Sequence, residues 1–328
     1  MPIRETQTRN HGRGYVLMTA AYNEEAHIER TITSVLSQSV LPERWVIASD
    51  GSSDGTDSIV QKYAQRHDFI RFLRVTRDPG HSFRSKVLAL HQAIPLLAGA
   101  AYGFIGNLDG DVSVEPSYFE DLLASFAGDT ELGIASGFVC EESDGQFRSR
   151  TSNRTESVPH AAQLVRRECY DAIGGYAALK YGGEDWYAQT SARMKGWRAE
   201  SFPQLPIRHH RHTGEGSNLL RHRFRLGRLD YSFGSHPVFE IVKCLIRLPE
   251  RPILIGGLAR LLGFAYSYIA GEARPVPDEF VAFLRREQKD RMWSAFRRAL
   301  PVQIPGSRPR SIAPNWEPTP KRNEKGAL

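Results

Sequence analysis

Phe104-Ile105-Gly106-Asn107-Leu108-Asp109-Gly110-Asp111-Val112 is the stretch around which the chain is organised. An apolar run of the kind that fills a sheet interior stops abruptly at two carboxylates with one glycine between them. Side chains alternate along an extended chain, so Asp109 and Asp111 point to the same side. Gly110 lets the backbone bend where the strand ends and come close to a ligand. Two hard oxygen donors converging there suit a divalent cation, Mg2+ or Mn2+, which would in turn hold phosphate oxygens. Taken alone, the same residues also read as a solvated Asp-Gly turn. Their surroundings decide.

Upstream, Tyr15-Val16-Leu17-Met18-Thr19-Ala20 reads as a first strand. Asn23 follows as an expected helix N-cap, with Glu24 and Glu25 in the electropositive first turn. Ile28, Ile32, Val35 and Leu36 at helical spacing extend that helix over 23–38. A second strand, Trp45-Val46-Ile47-Ala48, ends in Ser49-Asp50-Gly51-Ser52-Ser53-Asp54-Gly55-Thr56. Helices are then expected over 57–65 and 82–97, with strands over 70–75 and 102–108. Pro116 suits the first residue of a helix running through 126, and 132–139 reads as a further strand. Strands alternating with helices across short loops predict an α/β fold, a mostly parallel sheet flanked by helices on both faces. Ligands of such sheets sit beyond the carboxyl ends of the strands. Ala21-Tyr22-Asn23-Glu24, Asp50-Gly51 and Asp109-Gly110-Asp111 all follow strands, so they converge on one edge. That convergence argues more strongly than any one loop.

Several function classes drop out. No GxGxxG follows the first strand and no GxxxxGK[ST] occurs, which removes the main support for dinucleotide redox chemistry and P-loop phosphate transfer. Asp50 can instead accept hydrogen bonds from a nucleobase or ribose, although an Asx-turn cap fits the same loop. Cys140, Cys169 and Cys244 are the three cysteines, widely spaced, which points to a reducing compartment rather than a disulfide framework. Residues 1–14 are polar, lack a signal-peptide core and are expected to be flexible. No uncharged apolar run reaches the length of about 18 residues that a membrane span needs.

Thr19-Ala20-Ala21-Tyr22-Asn23-Glu24-Glu25, Ser49-Asp50-Gly51-Ser52-Ser53-Asp54-Gly55-Thr56, Leu108-Asp109-Gly110-Asp111 and Gly183-Glu184-Asp185-Trp186 stand in the order typical of family 2 glycosyltransferases, and the chain resembles that family over about 15–212. The resemblance implies a GT-A fold and an inverting reaction. It assigns the nucleotide to Ala21, Tyr22, Glu24 and Asp50, the metal and sugar diphosphate to Asp109 and Asp111, and the catalytic ED pair to Glu184 and Asp185, with Asp185 as base. Lys86 resembles a family lysine that reaches the diphosphate, although an exposed lysine on an amphipathic helix reads the same way locally. Ser85-Lys86-Val87-Leu88-Ala89-Leu90-His91-Gln92 departs from the family, which often has an Asn shortly before a Gly there. The Gly174-Gly175-Tyr176 segment corresponds to the acceptor border, with Gly175 also readable as a helix C-cap. Trp186 suits stacking on a sugar or packing in the core. Arg208-His209-His210-Arg211-His212 follows the last expected strand of the catalytic domain, and one of its histidines, His210 or His212 ahead of His209, is expected on the metal or diphosphate, against the alternative of a solvated basic loop.

These readings imply transfer of a sugar from a nucleotide-diphosphate donor to a saccharide or lipid-linked hydroxyl, in bacterial polysaccharide synthesis. A phosphohydrolase using Asp109 and Asp111 is the rival chemistry, but its motif would end the first strand, and here three strands precede it. A sugar-nucleotide binder without catalysis is the other rival, and the intact Asp109, Asp111 and Asp185 argue against it. Beyond 15–212, residues 213–300 read as helices only, and 301–328 as a disordered tail rich in Pro, Ser, Arg and Lys. Arg221, Arg223, Arg225 and Arg228 lie among Leu and Phe residues, and 253–270 is apolar around Arg260. That pairing suits either peripheral contact with an anionic membrane or a helical subdomain packed on the sheet. Arg260 argues against spanning. The basic residues have no stacking platform between them, so nucleic acid is not an expected partner. The expected location is the cytoplasm, at or near the inner face of the membrane.

Overall fold

Period-two alternation in the N-terminal strands is resolved into a sheet covered on both faces. In the computed structural model, which describes residues 14–76, 83–143, 145–211, 219–249 and 252–299, strands β1 (Tyr15–Ala21), β2 (Arg44–Asp50), β3 (Ile70–Val75) and β4 (Phe104–Leu108) pair in parallel in the order β3-β2-β1-β4. Tyr15 and Leu17 point into one apolar layer and Val16 and Met18 into the other. The first layer is filled by α1 (Ile28–Leu36), α2 (Thr56–Ala64) and α4 (Tyr118–Gly128). The second is filled by α3 (Arg84–Ala93), the 3-10 turn Ile94–Leu97, α5 (Arg167–Ala172) and α6 (Glu184–Met194).

The sheet continues from β4 through β8 (Ala162–Arg166), β6 (Leu132–Ser143) and β9 (Arg198–His209) to β5 (Val112–Val114), with β7 (Gln146–Ser149) paired beside β6. β8 is antiparallel to both neighbours, β6 and β9 are parallel, and β5 is antiparallel to β9. β4 and β5 are therefore distant along the sheet but joined by only Asp109, Gly110 and Asp111. The sheet must curl for so short a link to close. The acidic motif sits at that closure, and the register Val112↔His209 brings the end of β9 against it.

Element boundaries shift where capping was misread. Pro116 precedes the helix, which begins at Tyr118, and the 82–97 helix resolves into α3 and its 3-10 turn, with Ser82 outside the described residues. Arg208 and His209, expected just after the last strand, belong to β9 itself.

Among the described residues only helices follow: α7 (Leu219–Ser232), α8 (Pro237–Ile246), α9 (Ile255–Ile269) and α10 (Asp278–Ala299). α7 and α9 cross at backbone contact, because a Cβ at Gly227 would overlap the Arg260 carbonyl and one at Gly263 the Phe224 carbonyl. Phe233, Val276, Phe280, Val281 and Leu284 form an apolar cluster that reaches Leu179, with Trp186 and Tyr187 packed on it. The chain through Lys289 is one compact unit, and the end of α10 from Asp290 belongs to a second. Residues 1–13 and 300–328 lie outside the described residues, as does His212. No described helix is long and apolar enough to cross a membrane.

Candidate active site

The loops after β1 and β2 are fastened to each other. Asn23 has φ 52°, a left-handed conformation that Asn tolerates better than most residues. Its Oδ1 accepts from the Ser53 amide at 2.9 Å, and its own amide donates to Ser52 Oγ at 3.1 Å. The Glu24 amide donates to Thr56 Oγ1, the Glu25 amide to Asp54 Oδ2, and the Gly55 amide to Glu25 Oε2. Asn23 is thus a cross-loop fastener and not the expected N-cap, and α1 begins only at Ile28. From α1, the Thr31 hydroxyl is shared between the carbonyls of Gly110 and Val112 at 2.9 and 2.7 Å, which fixes the backbone between the two aspartates.

These loops enclose a pocket of about 480 Å³ at the carboxyl edge. Ala21, Tyr22, Glu24 and Asp50 line it from the first two strands. Ser85 and Lys86 come from the start of α3, Asp109 to Asp111 from the β4–β5 link, Glu184 from α6, and Arg211 from beyond β9. Lys86 Nζ lies 2.6 Å from Asp109 Oδ1, which also accepts from Asn107 Nδ2 at 2.9 Å. Burial works to discharge Lys86, but Asp109, Glu184 and Asp185 outweigh it and hold the ammonium above its usual range. Asp111 faces His209 Nε2 and Arg211 Nε, each at 3.5 Å. Burial opposes its charge, but His209 first and then Arg211 and Lys86 keep its carboxyl below the usual range. Glu24 accepts from Arg211 Nη2 at 2.5 Å, yet burial and then the charge of Asp111 push its carboxyl up to about 7.

At the start of α6, Gly182 and Gly183 have φ 85° and 83°, a turn that residues with a Cβ resist. It delivers Glu184 and Asp185 into the helix's first turn. Their environments split them. Burial would raise Glu184, but His160, with Nδ1 3.7 Å away, and Lys86 drive it down to about 2. Asp185 is raised by burial and by the charge of Glu184 beside it. Its Oδ1 accepts from the Trp186 amide at 2.7 Å. Adjacent carboxyls held apart in this way give one fixed anion and one proton acceptor.

The structure brings Ala21, Tyr22, Glu24, Asp50, Lys86, Asp109, Asp111 and Glu184 together, with Asp185 next along α6. Three other residues are engaged elsewhere. Trp186 is half-buried with its ring 4.7 Å from Phe233 and 6.2 Å from Phe280, against the apolar cluster of the C-terminal helices. Gly175, at φ 76°, donates its amide to the Tyr170 carbonyl and ends α5. His210 Nε2 lies 2.8 Å from Ser113 Oγ, and its ring stacks on His27. Among the described residues, His209 is the histidine whose ring reaches Asp111, while His210 meets Asp111 through its backbone amide. Sequence alone ranked His209 behind His210 and His212 and did not single out Arg211, because only the β5–β9 register aims these two at the acidic link. His160 was missed outright and had no sequence signal.

The donor chemistry at Asp109 and Asp111 fits a hard divalent cation. Asp109 already meets Lys86 and Asp111 meets Arg211, so a cation bound there would share the carboxylates with those side chains. Among the described residues no three His, Cys, Asp or Glu side chains converge as a metal-holding set. Further ligands would come from the substrate or water.

A curled, mostly parallel sheet with acidic loops at its carboxyl edge is the architecture of GT-A glycosyltransferases. The model of "Glycosyl transferase family 2" matches residues 17–183, just over half of the chain, and the chain belongs to that family. The poly-beta-1,6-N-acetyl-D-glucosamine synthase of Staphylococcus aureus (strain COL) is 32% identical over 124 residues, 38% of this chain and 28% of that enzyme. The enzyme of the same name from Staphylococcus epidermidis is 29% identical over the same length. The chain thus spans little more than a quarter of the length of these curated relatives. Among solved structures, a mannosyltransferase from Pyrobaculum calidifontis in complex with GDP-Man and Mn2+ shares the fold, with a TM-score of 0.50 and 18% identity over 87% of this chain and 82% of that one.

Proposed function

We propose that the chain is an inverting glycosyltransferase that moves a sugar from a nucleoside-diphosphate sugar to a hydroxyl of a saccharide or lipid-linked saccharide, in the making of a bacterial cell-surface polysaccharide. The observation that carries this reading is the meeting, in one pocket, of the Tyr22, Glu24 and Asp50 loops, the Asp109 and Asp111 pair, and Glu184 with its neighbour Asp185. The relatives named for N-acetylglucosamine polymer synthesis support the polysaccharide setting.

In this reading Tyr22 and Asp50 hold the nucleoside. Lys86 and Arg211, both ion-paired to pocket carboxylates, supply positive charge to the diphosphate as it departs. Asp109 and Asp111 would hold Mg2+ or Mn2+, which neutralises the leaving diphosphate when bound. Asp185, raised above an ordinary aspartate, accepts the proton of the attacking hydroxyl. Glu184 stays ionised and, with Lys86, fixes the field around it. Attack from the face opposite the leaving group inverts the anomeric centre. Placement of Asp109 after a fourth strand, not a first, disfavours a phosphohydrolase.

A thermal-shift screen of UDP, GDP and dTDP with and without Mn2+ tests the reading, run beside an Asp109→Ala, Asp111→Ala double variant. A ligand at about a hundredfold excess over its dissociation constant should add about 2.7 kcal/mol. One diphosphate should stabilise the protein only with metal, and the variant should lose that response. Equal silence from all three would sink it.

A further inference from the structure

Gly182 and Gly183, which present Glu184 and Asp185, have no side chains by which a turn could be fixed, and glycine loses more freedom on folding than any other residue. The turn is held instead at Tyr181, the residue before it. Arg225 of α7 donates from Nη1 to the Tyr181 carbonyl. The same guanidinium lies 4.0 Å over the ring of Phe83, which lines the pocket just ahead of Lys86. One turn further along α7, Arg228 lies 4.8 Å over the Tyr181 ring and pairs with Glu272, just beyond α9. The Tyr181 hydroxyl donates to that carboxylate at 3.1 Å, and Ser267 Oγ of α9 donates to it at 2.7 Å. Tyr181 is therefore gripped at its carbonyl, its ring and its hydroxyl. The glycines rest against the same helix: a Cβ at Gly183 would come within 3.1 Å of Phe233 and 3.4 Å of Leu229.

The two sides of the grip are themselves joined. Arg260 of α9 is buried and sends Nη2 and Nε to Asp230 Oδ2 of α7 at 2.6 and 2.7 Å. Lys243 of α8 reaches Asp230 at 2.9 Å and the fully buried Glu240 at 2.6 Å. Sliding α7 past α9 would part these buried charges, which is costly. We propose that Tyr181 is a positioning residue for the Glu184–Asp185 pair, held by Arg225, Arg228 and Glu272, so that the helical layer sets where the proton acceptor stands. Tyr181 is not part of the pocket lining, so it acts through the turn and not on the ligand. A displacement of about 1 Å at a reacting group can cost about 10²-fold in rate, so a grip on this turn has catalytic weight. That consequence rests on the reading of Asp185 as the base, whereas the grip itself does not.

Tyr181→Leu in the full chain tests it, beside Tyr181→Phe, which keeps the ring under Arg228 and the carbonyl for Arg225. Hydrogen exchange over residues 182–187 should be about tenfold faster in Tyr181→Leu and near wild type in Tyr181→Phe, while β1 stays protected in both. Should Tyr181→Leu not fold, Arg225→Met, which releases the Tyr181 carbonyl and Phe83, carries the same expectations. Turnover is read as release of diphosphate to water, from the sugar donor of whichever nucleoside diphosphate stabilises the protein. Tyr181→Leu should lower kcat by roughly ten- to a hundredfold and leave the donor KM within about twofold, and Tyr181→Phe should restore most of kcat. Unchanged exchange in Tyr181→Leu overturns the grip, whatever the turnover. Faster exchange with unchanged kcat, or a donor KM that rises as far as kcat falls, overturns the positioning role. A wild type that releases no diphosphate counts against the transferase reading, and exchange still decides the grip.

Discussion

The acidic pocket and the α7–α9 layer are built from the same residue types turned opposite ways. In the pocket, Glu24, Asp109, Asp111, Lys86 and Arg211 face an opening, with apolar strands behind them. In the helical layer, Asp230, Glu240, Lys243 and Arg260 are closed inside, and leucines and isoleucines face out. Buried ion pairs contribute little net stability but are costly to break. The inner network therefore acts as a lock, while the pocket's pairs can be exchanged for a charged ligand. The contrast is a claim about what each charge is for, and it can be broken.

The largest effect should come from Asp185→Asn. A positioned base contributes roughly 10² to 10⁴ in rate, and turnover should fall by about that factor. The thermal response to the matching nucleoside diphosphate should stay, because Asp185 lies beside the pocket and not in its lining. Retained turnover would move the base elsewhere.

Next is the lock. Arg260→Met leaves Asp230 and Glu240 with Lys243 alone, and should cost about 3 kcal/mol in urea denaturation. Lys86→Met should show the reverse: a smaller loss of stability, since its side chain is 27% exposed, but at least a tenfold loss of diphosphate affinity. If both variants lose stability equally and bind equally, the division of labour between the two charge clusters is wrong.

The pocket should also carry a pH signature that the lock lacks. Glu24 is raised from 4.5 to about 7, so between those values the folded chain holds a proton that the unfolded chain has released. Stability from this group is complete below the lower value and is lost as pH rises through the upper one. Glu24→Gln removes that loss. Relative to the variant, the wild type should be roughly 2 to 3 kcal/mol less stable at about pH 8 than at about pH 5, read from urea midpoints. Parallel profiles would show that Arg211 holds Glu24 ionised throughout.

Much of the pocket was legible because its residues follow strands, and strand ends can be read locally. Tyr22, Asp50, Asp109 and Asp111 each needed only an apolar run and the turn after it. What escaped was set by pairing between distant segments. β5 is three residues long and β8 is antiparallel to both its neighbours, so neither has a clear strand pattern. The last strand was expected, but the charged residues and two prolines of β9 hid where it ends. The roles of His209 and Arg211 depend on the β5–β9 register, since Arg211 meets Glu24 across 187 residues of sequence. Asn23 failed for a different reason. An Asn followed by two glutamates is a good cap by composition, but the β2 loop offered its side chain a better partner in the Ser53 amide. Locally, Arg260 marked α9 as broken by a charge. Only the crossing at Gly227 and Gly263 reveals that the charge is turned toward Asp230.

Trp186 stands on the border between the two regions, next to Asp185 on one side and against Phe233 and Phe280 on the other, and gives the smallest and most discriminating test. If packing is its role, Trp186→Leu should cost about 1 to 2 kcal/mol, because a half-buried indole gives up part of its apolar contact. Its acceptor KM should then stay within about twofold, since the donor pocket and the carboxylate beside it are untouched. A sugar-stacking role makes the opposite demand: stability near wild type and an acceptor KM raised about tenfold or more, as expected when an aromatic platform is removed. Trp186→Phe separates the cases further, because it keeps a ring for stacking and restores most of the packing. A KM defect that Phe repairs more fully than it repairs stability would move Trp186 from the helical layer to the acceptor side of the site.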